Sequence, residues 1–228
     1  MGRERRTVQI ATLPNRLDCL RKTVASLYDQ VDGIFVMLNG HSVYPVVYDP
    51  EDKIEYELLD NQWGDGAKLY NADKREGFVF LCDDDLIYPK SYCDDMIAAY
   101  ERHKGDRGCI VTLHGKIMSK PIGRSHGGYK EVYRCLNKVA EDKAIEIGGT
   151  GVMMFNTKDI KFSTDDIKRK NMCDIWVSKV AKEKGIPIYV IAHPHGYLDY
   201  MQQTSTIWNS HTKEDDAYEA RILRTFLK

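Results

Sequence analysis

Features that mark several other classes of protein are missing from this chain of 228 residues. No apolar run approaches the roughly 20 residues of a transmembrane helix. The basic residues at positions 3, 5 and 6 are not followed by the apolar stretch of a signal peptide. The net charge of −1 argues against a dedicated nucleic-acid binder. The six cysteines include no CxxC pair, which argues against a zinc ribbon or a disulfide framework. A cytoplasmic protein with reduced thiols is therefore expected.

Two signatures of nucleotide-binding proteins are also absent. No Gly-x-Gly-x-x-Gly follows the first predicted strand, so the dinucleotide-binding Rossmann fingerprint is missing. No Gly-x-x-x-x-Gly-Lys-Ser/Thr occurs, so the chain is not a P-loop NTPase. What the chain does have is 43% hydrophobic and 29% charged residues, which is enough for a proper core. Its length favours one domain, or one domain with a small appendage.

Apolar periodicity predicts strands that alternate with helices along most of the chain. Strands are predicted at 7–11, 33–38, 53–59, 78–82, 110–113, 152–155 and 187–192. Helices are predicted at 16–27, 64–68, 91–103, 174–184 and 213–227. The polar segment 115–145 is predicted to be rich in loops. This alternation predicts an α/β layer fold with a mostly parallel central sheet flanked by helices.

The most informative stretch is a short apolar run that ends in three carboxylates. Residues 78–82 are too few for a typical helix and suit a buried strand, and Asp83, Asp84 and Asp85 follow directly. Three crowded carboxylates repel one another, and a divalent cation such as Mg2+ or Mn2+, which prefers carboxylate oxygen, removes that cost. Ligands of open α/β sheets bind at the carboxyl ends of strands. The pattern predicts a metal site for a phosphorylated ligand; the alternative is a solvated acidic turn that caps the next helix.

Four segments, in this order along the chain, resemble glycosyltransferases of the GT-A fold, and family 2 of these enzymes most of all. The segments are an opening strand and loop at 8–16 (VQIATLPNR), a Gly-rich helix at 64–72 (GDGAKLYNA), a strand ending in an Asp-x-Asp (DXD) motif at 78–85 (FVFLCDDD) and an acidic helix start at 173–176 (CDIW). The chain departs from the family in the last segment, because Cys173-Asp174 stands where the family has a glutamate-aspartate pair.

The resemblance implies a single GT-A (Rossmann-like) domain over residues 1–228. Within it, about 1–114 would be the nucleotide-sugar-binding half, about 115–212 the acceptor-side half and 213–228 a C-terminal helix. The implied activity is that of a metal-dependent, inverting glycosyltransferase of the hexosyltransferase type. Its donor would be a nucleotide-sugar, with a UDP-sugar favoured, and its cofactor Mn2+ or Mg2+. The acceptor would carry a hydroxyl group, and a glycan, a lipid-linked sugar and a modified DNA base all remain open.

By this resemblance, the metal and the diphosphate are held at the end of the fourth predicted strand. Asp85 would bind the metal directly, and Asp83 would contact the ribose or a metal-bound water, while Asp84 faces the other side. His195, with His193 close behind it, would complete the metal site, because neutral imidazole is a good ligand for Mn2+. Packed or solvated histidines are the alternative.

Asp174 resembles the family's general base and lies at the start of a predicted helix. A helix N-terminus favours an ionised carboxylate. An inverting transfer needs one carboxylate to take the proton of the acceptor hydroxyl. A plain N-cap is the alternative role for Asp174, and Asp165 and Asp166 are less favoured substitutes for the base.

The resemblance also assigns donor contacts to Thr12, Pro14, Arg16, Asn39, Lys68, Asp84, Gly149 and Thr150. Arg16 could pair with phosphate, and Lys68 corresponds to a basic residue near the diphosphate, but either could be a solvated helix residue. The glycine at 149 could let the backbone approach the donor sugar, or it could simply form a tight turn.

Two other functions remain open from the sequence. A nucleotidyltransferase shares the α/β layout and the carboxylate-metal chemistry, but its Gly-rich signature after the first strand is missing here. A non-catalytic sugar-nucleotide-binding module would bind the donor without turnover. Trp176, Trp208 and Tyr197 are candidates for stacking on sugar rings, although the helical spacing of Trp176 is more typical of a core residue.

Overall fold

The computed structural model describes residues 2–44, 53–202 and 212–227 and shows a mixed α/β protein. Its strands, in chain order, are β1 (Arg6–Thr12), β2 (Gly33–Asn39), β3 (Ile54–Leu59), β4 (Phe78–Asp83), β5 (Leu86–Ile87), β6 (Ile110–Thr112), β7 (Gly115–Met118), β8 (Tyr129–Tyr133), β9 (Lys143–Ile145), β10 (Ile147–Gly148), β11 (Val152–Asn156), β12 (Ile188–Val190) and β13 (Asp199–Tyr200).

The α-helices of the described residues are α1 (Leu17–Leu27), α2 (Tyr92–His103), α3 (Cys173–Glu183) and α4 (Lys213–Phe226). Short 3-10 helices lie at Pro14–Arg16, Tyr28–Gln30, Gly64–Leu69, Ala72–Lys74 and Thr164–Asp166. Within these described ranges, no helix is both long enough and apolar enough to cross a membrane.

The large sheet has eight strands in the order β3-β2-β1-β4-β11-β6-β12-β9. β3, β2, β1 and β4 are mutually parallel, and β6 and β12 run in the same direction as these four. Only β11 and the edge strand β9 run the opposite way among the strands of this sheet. The expectation of a mostly parallel central sheet is therefore confirmed. The carboxyl ends of six strands meet at one edge, where ligands of such sheets bind.

Both faces of the large sheet are covered by helices, which gives the protein two apolar layers. On one face, Leu20 and Val24 of α1 and Met96 of α2 pack against the sheet. On the other face, Val177 of α3 and Leu223 of α4 do so. Successive side chains of a strand point to opposite faces, so a strand between two helix layers must be apolar at nearly every position. This burial on both faces explains why β4 is apolar at every position before Asp83.

The loop-rich prediction for 115–145 was wrong in part, because this segment contributes three strands. β7 pairs with β10 and β8 in a small antiparallel sheet, and β9 joins the edge of the large sheet. These strands are short, half-exposed and carry charged residues such as Lys116 and Glu131, so they lack the alternation that reveals a strand. A further two-stranded sheet, β5 with β13, was not predicted either.

Replacing Phe80 tests the double burial of β4. Its side chain is fully buried, with the ring of Tyr92 at a centroid distance of 6.0 Å. We expect Phe80→Ala to lower the free energy of unfolding by about 3–5 kcal/mol, because the core cannot fill the cavity that is left. Urea unfolding followed by circular dichroism measures this. Val43→Ala is the control, since Val43 is 69% exposed, and its effect should stay within about 0.5 kcal/mol. Equal effects of the two changes would contradict the assigned core.

Candidate active site

The three carboxylates lie at the carboxyl end of β4, where the chain turns towards β5. Asp83 is the last residue of the strand and pairs with Ala11 of β1. Its side chain is 47% exposed, whereas that of Asp84 is 4% exposed. The turn therefore presents Asp83 to solvent and directs Asp84 into the protein.

Asp84 is hydrogen-bonded on both of its oxygens, by the last residue of β1 and by a residue of the loop after it. The Thr12 hydroxyl donates to Oδ2 at 2.7 Å, and the Arg16 guanidinium donates to Oδ1 at 2.8 Å. Arg16 also reaches Asp85 Oδ2 at 3.4 Å. This buried network fastens the loop after β1 to the carboxylate turn. Within the protein, Arg16 thus pairs with carboxylates, and Asp84 is held inside rather than presented to a ligand.

Asp85 is the carboxylate most affected by crowding. Burial, with the neighbouring charges of Asp83 and Asp84, raises the pKa of Asp85 to about 7, although Arg16 and Lys68 oppose this. A raised pKa means that the ionised carboxylate is disfavoured at this position, and a bound cation would stabilise the ionised form. Asp83 and Asp85, whose donors are hard oxygens, therefore fit a divalent ion such as Mg2+ or Mn2+.

Lys68 forms a buried ion pair with the same turn. Its side chain is 4% exposed, and Nζ lies 2.5 Å from Asp83 Oδ1. Burial lowers the pKa of Lys68, but Asp83 and other nearby anionic groups outweigh this effect, so the net pKa is raised and the ammonium stays charged. The alternative of a solvated helix lysine is excluded by this geometry.

The turn between β10 and β11 links the carboxylates to the start of α3. The backbone N–H and the hydroxyl of Thr150 both donate to Asp174 Oδ1 at 2.7 Å. Gly151 accepts a bond from the Asp83 N–H at 3.0 Å. A Cβ at Gly151 would lie 1.9 Å from Asp83 Oδ2, so any other residue there would displace the Asp83 carboxylate. Consecutive residues of one turn thus contact Asp83 and Asp174, which are far apart in the sequence.

Asp65 provides a second connection between the carboxylate turn and α3, through the 3-10 helix that holds Lys68. Its carboxylate accepts the Cys173 N–H, with N···O distances of 3.3 and 3.4 Å. Desolvation by the surrounding protein raises the pKa of Asp65 to about 7, and Lys68 opposes the shift. Gly64, at φ +58°, precedes it in a conformation that favours glycine. This helix therefore positions groups at both sides of the site.

His114 follows β6 and packs beside Gly149, where an added Cβ would come 2.9 Å from that of His114. Burial lowers the pKa of His114; Lys116 and Arg134 lower it further, while Asp174 and Asp83 raise it. His114 is therefore held neutral within the electrostatic range of both carboxylates.

His193 and His195 follow β12 at the same edge of the sheet. His193 is buried, its Nδ1 lies 2.7 Å from the Ile191 carbonyl oxygen, and its Nε2 has no hydrogen-bond partner among the described residues. Because a carbonyl only accepts, Nδ1 is the donor in this contact, which leaves Nε2 as the ring nitrogen available to a metal. His195 is exposed. In the described part of the chain, these histidines and the aspartates do not form a group of three with all ligand atoms within 4.8 Å.

The remaining predicted residues lie at or near this edge. Pro14 is exposed, and Asn39 is buried, with its amide donating to the Gly64 carbonyl at 2.9 Å. Trp176 is buried in the core, as expected for its spacing. Tyr197 is half-buried and donates to Asp95. Trp208 lies outside the described residues.

Three residues at the site were missed by sequence reasoning. His114 follows a strand of the parallel set, a position that could have been noted. Asp65 stands in the Gly-rich segment, but nothing in the sequence showed that it reaches Cys173. Tyr88, whose hydroxyl donates to Gly151 O at 2.7 Å and accepts the Asp83 N–H at 2.9 Å, carried no signal. Each acts through contacts made by the fold.

Comparison with known proteins gives little further guidance. No family model matches the chain, and no curated protein matches it. Among solved structures, an active-site mutant of LgtC, a glycosyltransferase, has 10% sequence identity and a TM-score of 0.43, over 98% of this chain and 96% of that chain. Similarity at this level carries no functional argument, so the class of the protein has to be argued from the site.

The buried Arg16–Asp84 pair predicts a large loss of stability on disruption. Asp84→Asn removes the carboxylate charge that both Thr12 and Arg16 contact inside the protein and leaves Arg16 with the longer contact to Asp85 at 3.4 Å. We expect the free energy of unfolding to fall by about 3 kcal/mol. The matched control is Asp18→Asn, which breaks the Arg21–Asp18 pair, whose side chains are 51% and 90% exposed. That change should cost no more than about 0.5 kcal/mol. Chemical denaturation of both variants measures these losses. Similar losses in the free energy of unfolding would contradict the buried network.

The raised pKa of Asp65 predicts a pH dependence of stability. Between about pH 4 and about pH 7, the folded protein retains a proton that the unfolded chain has released, so the free energy of unfolding falls as pH rises through this window. Asp65→Asn removes this contribution, and its stability should fall less steeply than that of the wild type. Urea unfolding at several pH values, without added metal, measures the slope. The exposed Asp60 offers the control Asp60→Asn, which should keep the wild-type slope; an unchanged slope in Asp65→Asn would contradict the assignment.

Proposed function

We propose that this protein is a metal-dependent, inverting glycosyltransferase that moves a sugar from a nucleotide-sugar, favouring a UDP-sugar, to a hydroxyl acceptor. The observation that carries the proposal is the turn formed by residues 149–151. It contacts Asp83 of the carboxylate turn on one side and Asp174 of α3 on the other. This turn supports the proposal because it connects the carboxylate that would help to hold a metal-bound diphosphate with the carboxylate proposed as the general base.

The donor half of the proposed site is the carboxylate turn. Asp83 and Asp85 would hold the cation, with His193 or His195 as the predicted further ligand. The cation would neutralise the charge that develops on the departing nucleoside diphosphate. Lys68 is already charged and fixed against Asp83, so it adds a positive charge beside the diphosphate without having to be reoriented.

The predicted donor-contact residues differ in which of their groups remain available to a ligand. The Thr12 hydroxyl and the oxygens of Asp84 are engaged within the protein, so their role in this proposal is to hold the loop in place. Pro14 is exposed at that loop and is proposed to line the nucleoside. Asn39 is proposed to do so from the end of β2.

The acceptor half of the proposed site is Asp174 with its support. Both hydrogen bonds from Thr150 go to Oδ1, which fixes the carboxylate and leaves its other oxygen to take a proton. Asp174 removes the proton from the acceptor hydroxyl, and that oxygen attacks the anomeric carbon. The bond from the anomeric carbon to the diphosphate breaks, and its electron pair leaves with the nucleoside diphosphate. A single displacement of this kind inverts the configuration at that carbon.

Asp174 also lies in the first turn of α3, and acidic residues are generally favourable at helix N-termini. Burial lowers the pKa of the nearby His114, so this imidazole adds no positive charge beside the Asp174 carboxylate. A general base in a fixed position typically contributes about 10²–10⁴-fold to the rate. The Asp174–Thr150 contact thus supports a catalytic role more specifically than a plain N-cap does, because the bonds are made to a distant turn rather than to the helix's own N–H groups.

Replacing Asp85 and Asp174 one at a time distinguishes donor binding from sugar transfer. With UDP at about 100 times its dissociation constant, binding should add about 2.7 kcal/mol to stability. We expect a thermal shift with UDP and Mn2+ in the wild type and in Asp174→Asn, but none that depends on metal in Asp85→Asn. Release of UDP from UDP-sugars, with water or an added acceptor, should fall by about 10²–10⁴-fold in Asp174→Asn.

The control for the base is Asp165→Asn, which changes an exposed carboxyl of a neighbouring 3-10 helix and should leave turnover unchanged. Unchanged turnover in Asp174→Asn would refute its role as base. Donor binding with no turnover in any variant would favour a non-catalytic binding module. A thermal shift with a nucleoside triphosphate, together with pyrophosphate release, would favour a nucleotidyltransferase.

A further inference from the structure

A second group of metal-ligand side chains lies outside the carboxylate turn, where the segment between β7 and β8 meets α4. It consists of His126, Asp216 and Glu219, and one ligand atom of each lies within 4.8 Å of those of the others. Of the described residues, no other three histidine, cysteine, aspartate or glutamate side chains meet this condition. Two carboxylates and an imidazole therefore converge from two distant parts of the chain.

The cluster is held in place by bonds that leave ligand atoms facing one another. Asp216 Oδ1 accepts the N–H groups of Ser125 at 2.9 Å and His126 at 2.7 Å. His126 Nε2 lies 3.1 Å from Glu219 Oε2, a spacing typical of two ligands of one ion. Arg224 adds bonds from α4 to the carbonyl oxygens of Ile122 at 2.7 Å and Gly123 at 3.2 Å. The backbone around the cluster is thus fixed before any ligand binds.

The burial of this cluster leaves one polar group unexplained. Glu219 is 5% exposed and has His126 as a partner, as a buried carboxylate requires. Ser125 is fully buried, and its hydroxyl has no hydrogen-bond partner in the described part of the chain. A buried polar atom left in this state beside a cluster of ligands is what an additional water or ion would explain.

We propose that His126, Asp216 and Glu219 form a second divalent-metal site, distinct from the carboxylate turn. One imidazole and two carboxylates suit Zn2+ or Mn2+ rather than Ca2+ or Mg2+, whose sites are built of oxygen ligands. The bound ion would join the segment that precedes β8 to α4. Because α4 packs against α3, this ion would stabilise the layer that carries Asp174, without contacting the substrate.

Equilibrium dialysis with Zn2+ alone, in the Asp85→Asn protein, isolates this site from the carboxylate turn. We expect about one Zn2+ per chain, and a loss of affinity of at least tenfold in the additional variants His126→Gln and Glu219→Gln, because removing a ligand should cost no less than the 10–100-fold seen for supporting residues. Co2+ provides an independent signature, since a protein nitrogen and two carboxylates would change its visible absorption.

The matched control is His103→Gln, which removes another histidine–carboxylate pair, with His103 Nε2 2.7 Å from Asp142 Oδ2. That pair contains a single carboxylate, which Arg102 also contacts. Removing His103 should therefore leave Zn2+ binding unchanged. Circular dichroism of each variant shows whether it is folded. If His126→Gln does not fold, Glu219→Gln, which preserves the shape of the side chain, provides the test. Absence of Zn2+ binding, or equal binding in the folded ligand variants, would overturn the proposal and leave a simple ion pair.

Discussion

The charge balance at the carboxyl end of β4 is the constraint on which the rest of the site depends. Three adjacent carboxylates repel one another when all are ionised. The protein offsets this repulsion with two basic side chains that come from different parts of the fold. Arg16 pairs with Asp84 inside the protein, and the buried Lys68 pairs with Asp83, whose own side chain is partly exposed. These pairs fix the loop after β1 and the 3-10 helix at 64–69 against the same turn. Asp85 remains the crowded group, which makes this turn suited to a metal ion.

A second constraint is the close approach of the turn at 149–151. A side chain at Gly151 would displace the Asp83 carboxylate. Glycine therefore lets this turn bond to Asp83 and, through Thr150, to Asp174 without moving either carboxylate. The proposed chemistry depends on this contact, because a base and a diphosphate site must lie within one sugar of each other. Asp65 reinforces it by holding the Cys173 N–H from the side of Lys68.

Much of the architecture could be predicted from the sequence, for identifiable reasons. The strands β2, β4 and β11 are apolar on both faces, so they appear as short continuous runs. β1 is buried but alternates Val8 and Ile10 with polar residues such as Gln9. The helices have one apolar face and were recognised by period. β7, β8 and β9 were missed because half-exposed strands with charged residues resemble loops, and their pairing partners are remote in sequence.

By itself, the sequence determined the α/β class, the position of the carboxylate turn at a strand end, and the presence of Asp174 at a helix start. These depend on local periodicity and on residue chemistry, which neighbouring residues reveal. Only the tertiary structure decided that Asp84 points inward, that Lys68 is a buried partner of Asp83, and that Asp65 and His114 belong to the site. Such features depend on contacts between segments that are far apart in the chain, and no local pattern encodes them. The same holds for His126, Asp216 and Glu219, which the packing of α4 brings together.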